Sequence, residues 1–305
     1  MTKRVSVVIP SRHERWLQAT IDDLLNKASQ DVEVIAVLDG YWPDPPLKDN
    51  PKVTQIHFSE NKGMRAGINA AVSASRGDFI LKCDGHTLWG EGWDEILKAD
   101  CPEDAVMVPR RYSLDAEKWA IKTDKPPVDY HYLSFPFERP GDPTCGLHGT
   151  IWRERAKERK DILVDDEMSS QGSSYFLHKK YWNHIGPLDD QSYGTFTNEF
   201  QEVGLKAWLG GGQVLINKRT FMAHLHKGKQ WGTGYQFNNA QWEAWAKQNK
   251  KGRDFTNDFW LNNRWTQRVR DFEWLIEKFW PCPSWPSDWR EQLENFRRQS
   301  REKAA

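Results

Sequence analysis

The sequence predicts an α/β fold, a mostly parallel sheet with helices on both faces, continued by a helical Trp-rich C-terminal extension. Three observations carry this. Short β-branched apolar runs alternate with segments of helical spacing over the first hundred residues. Several of those runs stop at Pro, Asp-Gly or Asp-Gly-His, as buried strands do where they leave a sheet. Toward the C-terminus the spacing turns helical and aromatic, and nine of the 17 Trp residues lie beyond Trp208.

Taken in order, Val5 to Ile9 is a continuous apolar run closed by Pro10 and reads as the first buried strand. Trp16, Ile21, Leu24 and Leu25 recur at helical spacing. Val32 to Leu38 is a second strand, closed by Asp39-Gly40, and Val53 to Phe58 a third. The Ala-rich stretch from Met64 to Ser75 reads as a helix, stopped by Gly77. Asp78 to Cys83 is a fourth strand, ending in Asp84-Gly85-His86. From Tyr112 to Leu147 periodicity fails and prolines accumulate, which predicts a long loop. Ser173 to Leu177 and Val214 to Ile216 are further strand candidates. Lys180 to His184 and Asn198 to Leu209 read as helices, the second ended by Gly210-Gly211-Gly212. Helices over Asn238–Asn249, Phe255–Phe279 and Ser287–Arg301 complete the chain, with a break at Trp280–Pro283. The expected division is a catalytic unit over 1–232 and an extension over 233–305.

Composition narrows the function. The 305 residues hold 43 Lys+Arg and 43 Asp+Glu, but the balance is uneven along the chain. From Lys218 onward there are 17 basic and 10 acidic residues, a net +7, so the preceding part carries −7. No apolar run approaches the ~20 residues of a membrane span, and Val5 to Pro10 is too short for a signal-peptide core. The four cysteines, Cys83, Cys101, Cys145 and Cys282, show no Cys-x-x-Cys spacing. Neither a disulfide scaffold nor a zinc knuckle is indicated, and a cytoplasmic location is expected.

In a sheet of this kind ligands bind beyond the carboxyl ends of the strands, so the turns after Leu38 and Cys83 are where chemistry is expected. Asp84 and His86 stand at i and i+2, which puts both side chains on one side of an extended segment. A carboxylate oxygen and an imidazole nitrogen with open positions suit Mn²⁺ or Mg²⁺ holding a diphosphate. The same pair also reads as a cap and a surface histidine.

The order of motifs then adds context: Val5-Ser6-Val7-Val8-Ile9-Pro10, Val32 to Asp39-Gly40, Asn61-Lys62-Gly63 through Ala71, and Gly77 to Asp84. This set resembles the nucleotide-sugar half of glycosyltransferase family 2 and its relatives with the GT-A fold. Ser170 to Trp182, Ile185-Gly186-Pro187-Leu188-Asp189 and Asn198 to Gly212 resemble the second half of the polypeptide N-acetylgalactosaminyltransferases. The likeness spans about residues 4 to 229. It implies a metal-dependent glycosyltransferase that uses a nucleoside-diphosphate sugar, most simply a UDP-sugar, with Mn²⁺ (or Mg²⁺).

Carried over by position, the resemblance makes Asp84, His86 and His224 the metal ligands, with His226 a rival for the third place. Asp39 would meet the nucleoside, beside Pro10, Ser11 and Glu14 at the first strand's exit. Arg65 and Asn69 would face the nucleotide or its phosphates, and Lys227 the diphosphate. Glu199 and Glu202 stand where relatives have acids reaching sugar and acceptor, and Glu199 is the candidate general base. As alternatives, Glu199 reads as a helix N-terminal acid and Lys227 as a solvated surface lysine. Sugar identity and anomeric outcome stay open.

The tail after residue 229 lies outside the resemblance. Its aromatics at helical spacing read first as packing, and second as an acceptor platform in which Trp faces and basic side chains meet an anion. A hydroxymethylated pyrimidine of viral DNA fits the second reading, as would an anionic cell-surface saccharide. The alternatives are a non-catalytic nucleic-acid or carbohydrate-binding module on a transferase fold and a nucleotidyltransferase, which the absence of a Gly-rich triphosphate loop after the first strand disfavours.

Overall fold

A computed structural model describes residues 3–137, 146–194, 197–231 and 238–304. The first part of the chain runs β1 (Val5–Ser11), α1 (Leu17–Lys27), β2 (Val32–Asp39), β3 (Val53–Phe58), α2 (Met64–Ala74), β4 (Phe79–Cys83), β5 (Thr87–Trp89) and α3 (Trp93–Asp100). Next come β6 (Ala105–Asp115), β7 (Ala120–Ile121), β8 (His131–Leu133), β9 (Gly149–Ile151), α4 (Arg153–Glu158), β10 (Val164–Asp166), β11 (Ser174–His178) and α5 (Lys179–Ile185). The last elements are α6 (Glu199–Leu209), β12 (Gln213–His224), α7 (Gly228–Trp231), α8 (Asn239–Leu261), α9 (Phe272–Lys278) and α10 (Trp289–Ala304).

The main sheet has the order β10-β12-β6-β11-β4-β1-β2-β3. β1, β2, β3 and β4 pair in parallel, and so do β6 and β12. β11 runs antiparallel between β4 and β6 and joins the two parallel blocks. β5 is an antiparallel spur on the end of β12. Val7, Val8, Ile9, Leu38, Ile80 and Leu81 are fully buried, because helices cover both faces of these central strands, whereas Thr54 and Gln55 of the edge strand β3 are exposed.

The expected strands and the N-terminal helices are present. The segment from Tyr112 to Leu147, expected as one loop, carries the end of β6 and all of β7 and β8; residues 138–145 within it lie outside the described residues. In the tail, the expected break between 249 and 255 does not occur, and α8 runs through Lys250-Lys251-Gly252-Arg253. The expected helix 255–279 instead divides at Asn262, the C-cap of α8, and resumes as α9. Trp260, Trp265, Phe272, Trp285 and Trp289 are buried in one apolar cluster with Trp208 and Leu209 of α6. These tail aromatics are core, so the packing reading holds for them.

Candidate functional site

β4 ends at Cys83, and the backbone N–H of Asp84 still donates to Ser173 O at 3.0 Å, which prolongs the β4–β11 ladder by one residue. The chain then turns at Gly85, whose missing side chain leaves room for Glu14; a Cβ there would lie 2.9 Å from Glu14 Cγ. His86 follows, and β5 begins. Because β5 pairs antiparallel with β12, with Thr87 opposite His224, the end of β12 is delivered beside His86. Leu225 N donates to His86 O at 3.2 Å and fastens the two segments together.

The three side chains converge. His86 Nε2 and His224 Nε2 are 3.1 Å apart, His224 Nε2 is 3.2 Å from Asp84 Oδ2, and His86 Nε2 is 4.0 Å from the same oxygen. Such separations match the edges of a coordination shell whose bonds are about 2.0–2.2 Å long. Glu14 Oε2 accepts from His86 Nδ1 at 2.8 Å, which assigns the proton to Nδ1 and turns the Nε2 lone pair toward the other two ligands. Burial drives the His224 pKa down to about 3, against the opposing hydrogen bond to Asp84. Burial also opposes ionisation of Asp84, but Lys82, His224 and His86 together hold its pKa well below the carboxylate range. An anionic oxygen and a neutral imidazole are the forms that bind a cation. One oxygen and two nitrogens fit a divalent transition ion with further positions open. His226 is exposed, its ring centroid 4.8 Å from that of His224, and lies outside this converging group.

Behind the ligands sits a residue that motif reading overlooked. Lys82, fully buried on β4, donates to Asp84 Oδ1 at 2.8 Å and to Glu199 Oε2 at 3.1 Å, and also to the Gly172 carbonyl. Its pKa is raised, since the attraction of Asp84 and Glu199 outweighs the penalty of burial. A lysine amid Phe-Ile-Leu and Cys, two residues before the metal acid and thus on its face of the strand, was the available signal.

The triad forms one part of the lining of a cavity of about 900 Å³. Pro10, Ser11, Glu14, Asp39 and Lys227 line it as well, so seven of the expected residues other than the two acids of α6 meet there with His224. Asp39 is 4% exposed and accepts from Lys62 N at 2.6 Å, from Gly63 N at 2.9 Å and from the Asn61 amide, which holds the loop leading into α2. Lys227 Nζ donates to Glu14 Oε2 at 2.5 Å.

Four expected residues do not line the cavity. Arg65 is buried against Glu202, with a further bond to Thr197 O at 2.6 Å and its guanidinium 4.1 Å from the Tyr193 ring centroid. Glu202 also binds Lys206 at 2.8 Å. Asn69 exchanges two hydrogen bonds with the Leu188 backbone, at 2.8 and 3.0 Å. Glu199 is 4% exposed; its Oε2 is held by Lys82, its buried Oε1 makes no hydrogen bond of ordinary geometry among the described residues, and burial raises its pKa despite Lys82 and the nearby Tyr175 hydroxyl.

Residues 6–156, which contain β1 to β5 with Asp39, Asp84 and His86, match the family model of glycosyl transferase family 2. This part of the chain is a family 2 glycosyltransferase domain. The expected family and fold are thereby borne out. Polypeptide N-acetylgalactosaminyltransferase 6 of Bos taurus is 23% identical over 237 residues, covering 73% of this chain and 38% of the relative. Polypeptide N-acetylgalactosaminyltransferase 3 of Mus musculus is 23% identical over 244 residues, with 73% and 37% covered. The chain therefore spans well under half the length of these curated relatives. A crystal structure of GalNAc-T7 with UDP, GalNAc and Mn²⁺ aligns with a TM-score of 0.65 at 14% identity, over 90% of this chain and 57% of that one. At that identity the likeness speaks for the fold alone. The matched region ends before β11, α6 and His224, so the third member of the converging group lies beyond it.

Proposed function

We propose that the protein is a metal-dependent glycosyltransferase that moves a sugar from a nucleoside-diphosphate sugar, a UDP-sugar in the simplest case, to a hydroxyl of an anionic acceptor. The observation that carries the reading is the meeting of Asp84, His86 and His224 in a cavity bordered by Asp39 and Lys227. GalNAc-T7, which shares the fold, was crystallised with UDP and Mn²⁺. Those three residues would hold Mn²⁺ or Mg²⁺, which when bound supplies charge stabilisation for the departing diphosphate.

The chain's own groups account for the rest. In the transfer the acceptor oxygen bonds to the anomeric carbon, the bond from that carbon to the diphosphate oxygen breaks, and the diphosphate leaves with the electron pair. The hydroxyl gives up its proton to a base. Lys227 adds a cation where negative charge accumulates. Glu14 fixes both Lys227 and the His86 ring, and Asp39 holds the 61–63 loop at the nucleoside end of the cavity. Glu199 is the sequence's candidate for the base, and its buried position and raised pKa support that role. A specific observation favours a second reading. Because Lys82 bridges Glu199 to Asp84, Glu199 is a positioning residue that holds the Lys82 ammonium against the metal-binding carboxylate.

Hydroxymethylated DNA, as in viral genomes, is the acceptor favoured by the +7 balance from Lys218 onward, and a cell-surface saccharide is the competitor. No helix among the described residues is long and apolar enough to cross a membrane. The free, buried Cys83, Cys101 and Cys282 accord with a reducing compartment such as the cytoplasm. The test is titration with UDP in the presence and absence of Mn²⁺. Metal-dependent binding that D84A/H86A abolishes is expected; equal binding without metal, or by that variant, would refute the assignment.

A further inference from the structure

One wall of the donor cavity is built by the tail. Gln241, Ala244, Trp245, Lys247, Gln248 and Lys251 of α8 line it, although α8 lies wholly outside the matched family region. Helical periodicity explains how one element both packs and lines. Asn249, Gly252, Thr256 and Trp260, at i, i+3, i+7 and i+11, form the buried face. That face is fastened to the segment before α6. Thr197 Oγ1 and Asn249 Oδ1 are 2.8 Å apart, Trp260 Nε1 donates to the Tyr193 hydroxyl at 2.8 Å, and Gly252 leaves no room for a Cβ against the Tyr193 carbonyl. The lining face carries the opposite chemistry. Lys247 and Lys251 stand one turn apart, exposed, and among the described residues neither forms an ion pair.

The charges of this cavity are therefore divided. On the metal side, Asp84, Glu14 and Asp39 are engaged by Lys82, His86, Lys227 and the 61–63 loop. The α8 side of the lining carries Lys247 and Lys251, which form no ion pair among the described residues, although Glu243 stands one turn before Lys247. A donor diphosphate would find its counter-charge at a cation held by the triad, with Lys227 beside it, so two further lysines call for a second anion.

We infer that α8 is the acceptor-selecting wall: Lys247 and Lys251 take phosphates of a single DNA strand, and Trp245 stacks on the base that brings the acceptor hydroxyl to the donor. The inference rests on the transferase reading for its meaning, but it is tested by binding alone. A base in a duplex must leave the stack to enter a cavity of this kind, so a single strand is the form that α8 meets. Trp245 supplies the π-face that such strands use, and it packs edge to face with Trp242 at 5.6 Å, which fixes its orientation.

The experiment is equilibrium binding of a fluorescent single-stranded oligonucleotide containing 5-hydroxymethylcytosine, measured across a salt series. Each phosphate contact on a single strand contributes about −0.7 to the slope of log K against log salt, so K247A/K251A is expected to flatten the slope by about 1.4. About tenfold weaker binding at low salt and restoration of both quantities by K247R/K251R are expected too. W245A should weaken binding without changing the slope. Unfolding midpoints of the exposed-lysine variants identify any that fail to fold, and the Lys→Arg pair is then read on its own against the native protein. An unchanged slope, no binding of DNA by the native protein, or equal competition by a neutral oligosaccharide would overturn the inference. Sugar-nucleotide hydrolysis in the absence of DNA reports separately on the transferase reading.

Discussion

His86 and His224 lie 138 positions apart, yet their Nε2 atoms are 3.1 Å from each other. The antiparallel pairing of β5 with β12 closes that distance, since it sets Thr87 opposite His224 and leaves His86 one residue outside the ladder. Two Nε2 atoms this close, one with its proton held elsewhere by Glu14, form a cation site or a single shared hydrogen bond. The choice between them is a measurement. Native protein should bind Mn²⁺, and Glu14→Gln, which keeps shape but weakens the grip on His86 and Lys227, should lower the affinity about 10–100-fold. Titration calorimetry or Mn²⁺ electron paramagnetic resonance reads this directly, and equal affinity in the variant would deny Glu14 its orienting role.

Glu199 separates its two readings by which quantity moves. If it positions Lys82 against Asp84, Glu199→Gln should weaken metal affinity several-fold, and Lys82→Met should do the same. If it is the base, Glu199→Gln should lower kcat about 10²–10⁴-fold with metal affinity intact. Parallel measurement of Mn²⁺ binding and of kcat on one preparation decides.

How much of this was legible in the residues is best seen at three places. Val5–Pro10, Val32–Asp39 and Phe79–Asp84 could be placed as strands because short β-branched runs with hard stops leave no other reading, and the ligands at their ends followed. Arg65 and Glu202 could not be placed, because a charged residue on a helix beside the site looks the same in sequence whether it faces a phosphate or a buried partner. The structure answers with a pair closed to solvent. The α8 wall was hidden for a different reason. Lys250-Lys251-Gly252-Arg253 reads as a polar, Gly-containing break, and only the fit of Gly252 under the Tyr193 carbonyl shows why a helix continues through it.

The Arg65–Glu202 pair makes a stability prediction. Removing one partner leaves the other charged and buried, which costs about 3–5 kcal/mol, whereas replacing both with apolar residues of similar volume is often nearly neutral. Arg65→Ala should therefore lower the free energy of urea unfolding far more than R65M/E202L does. Comparable losses in the two variants would mean that the charge pairing is not what holds α2 to α6.

Acid sensitivity should trace in part to Asp165. Burial works against its ionisation, but hydrogen bonds from Arg159 and Tyr130 prevail and set its folded pKa below the usual carboxylate value. The unfolded chain then binds this proton more readily than the folded one. The stabilisation is present above the unfolded value of about 3.9 and is lost as pH falls through the folded value. Between pH 5 and pH 3 the native protein should lose more stability than Asp165→Asn, which never had this contribution. Parallel acid limbs in denaturant titrations would assign the sensitivity to other carboxylates.

Gly252 reverses an ordinary expectation. Replacing an interior helical glycine by alanine normally stabilises by about 0.8–1.0 kcal/mol. Here an added Cβ would lie 2.9 Å from the Tyr193 carbonyl carbon and closer still to its oxygen, both backbone atoms that cannot step aside. Gly252→Ala should therefore destabilise by about 1–3 kcal/mol, the cost of overpacking. It should also lift the buried face of α8 away from Tyr193 and Thr197. Because Gln248 and Lys251 flank that face on the same turns, the displacement moves the cavity wall with it. Thermal unfolding gives the first effect. The second appears as weaker binding of an oligonucleotide with an unaltered salt slope, since both lysines remain in place. A variant more stable than the native protein would mean that α8 does not seat against Tyr193 as described.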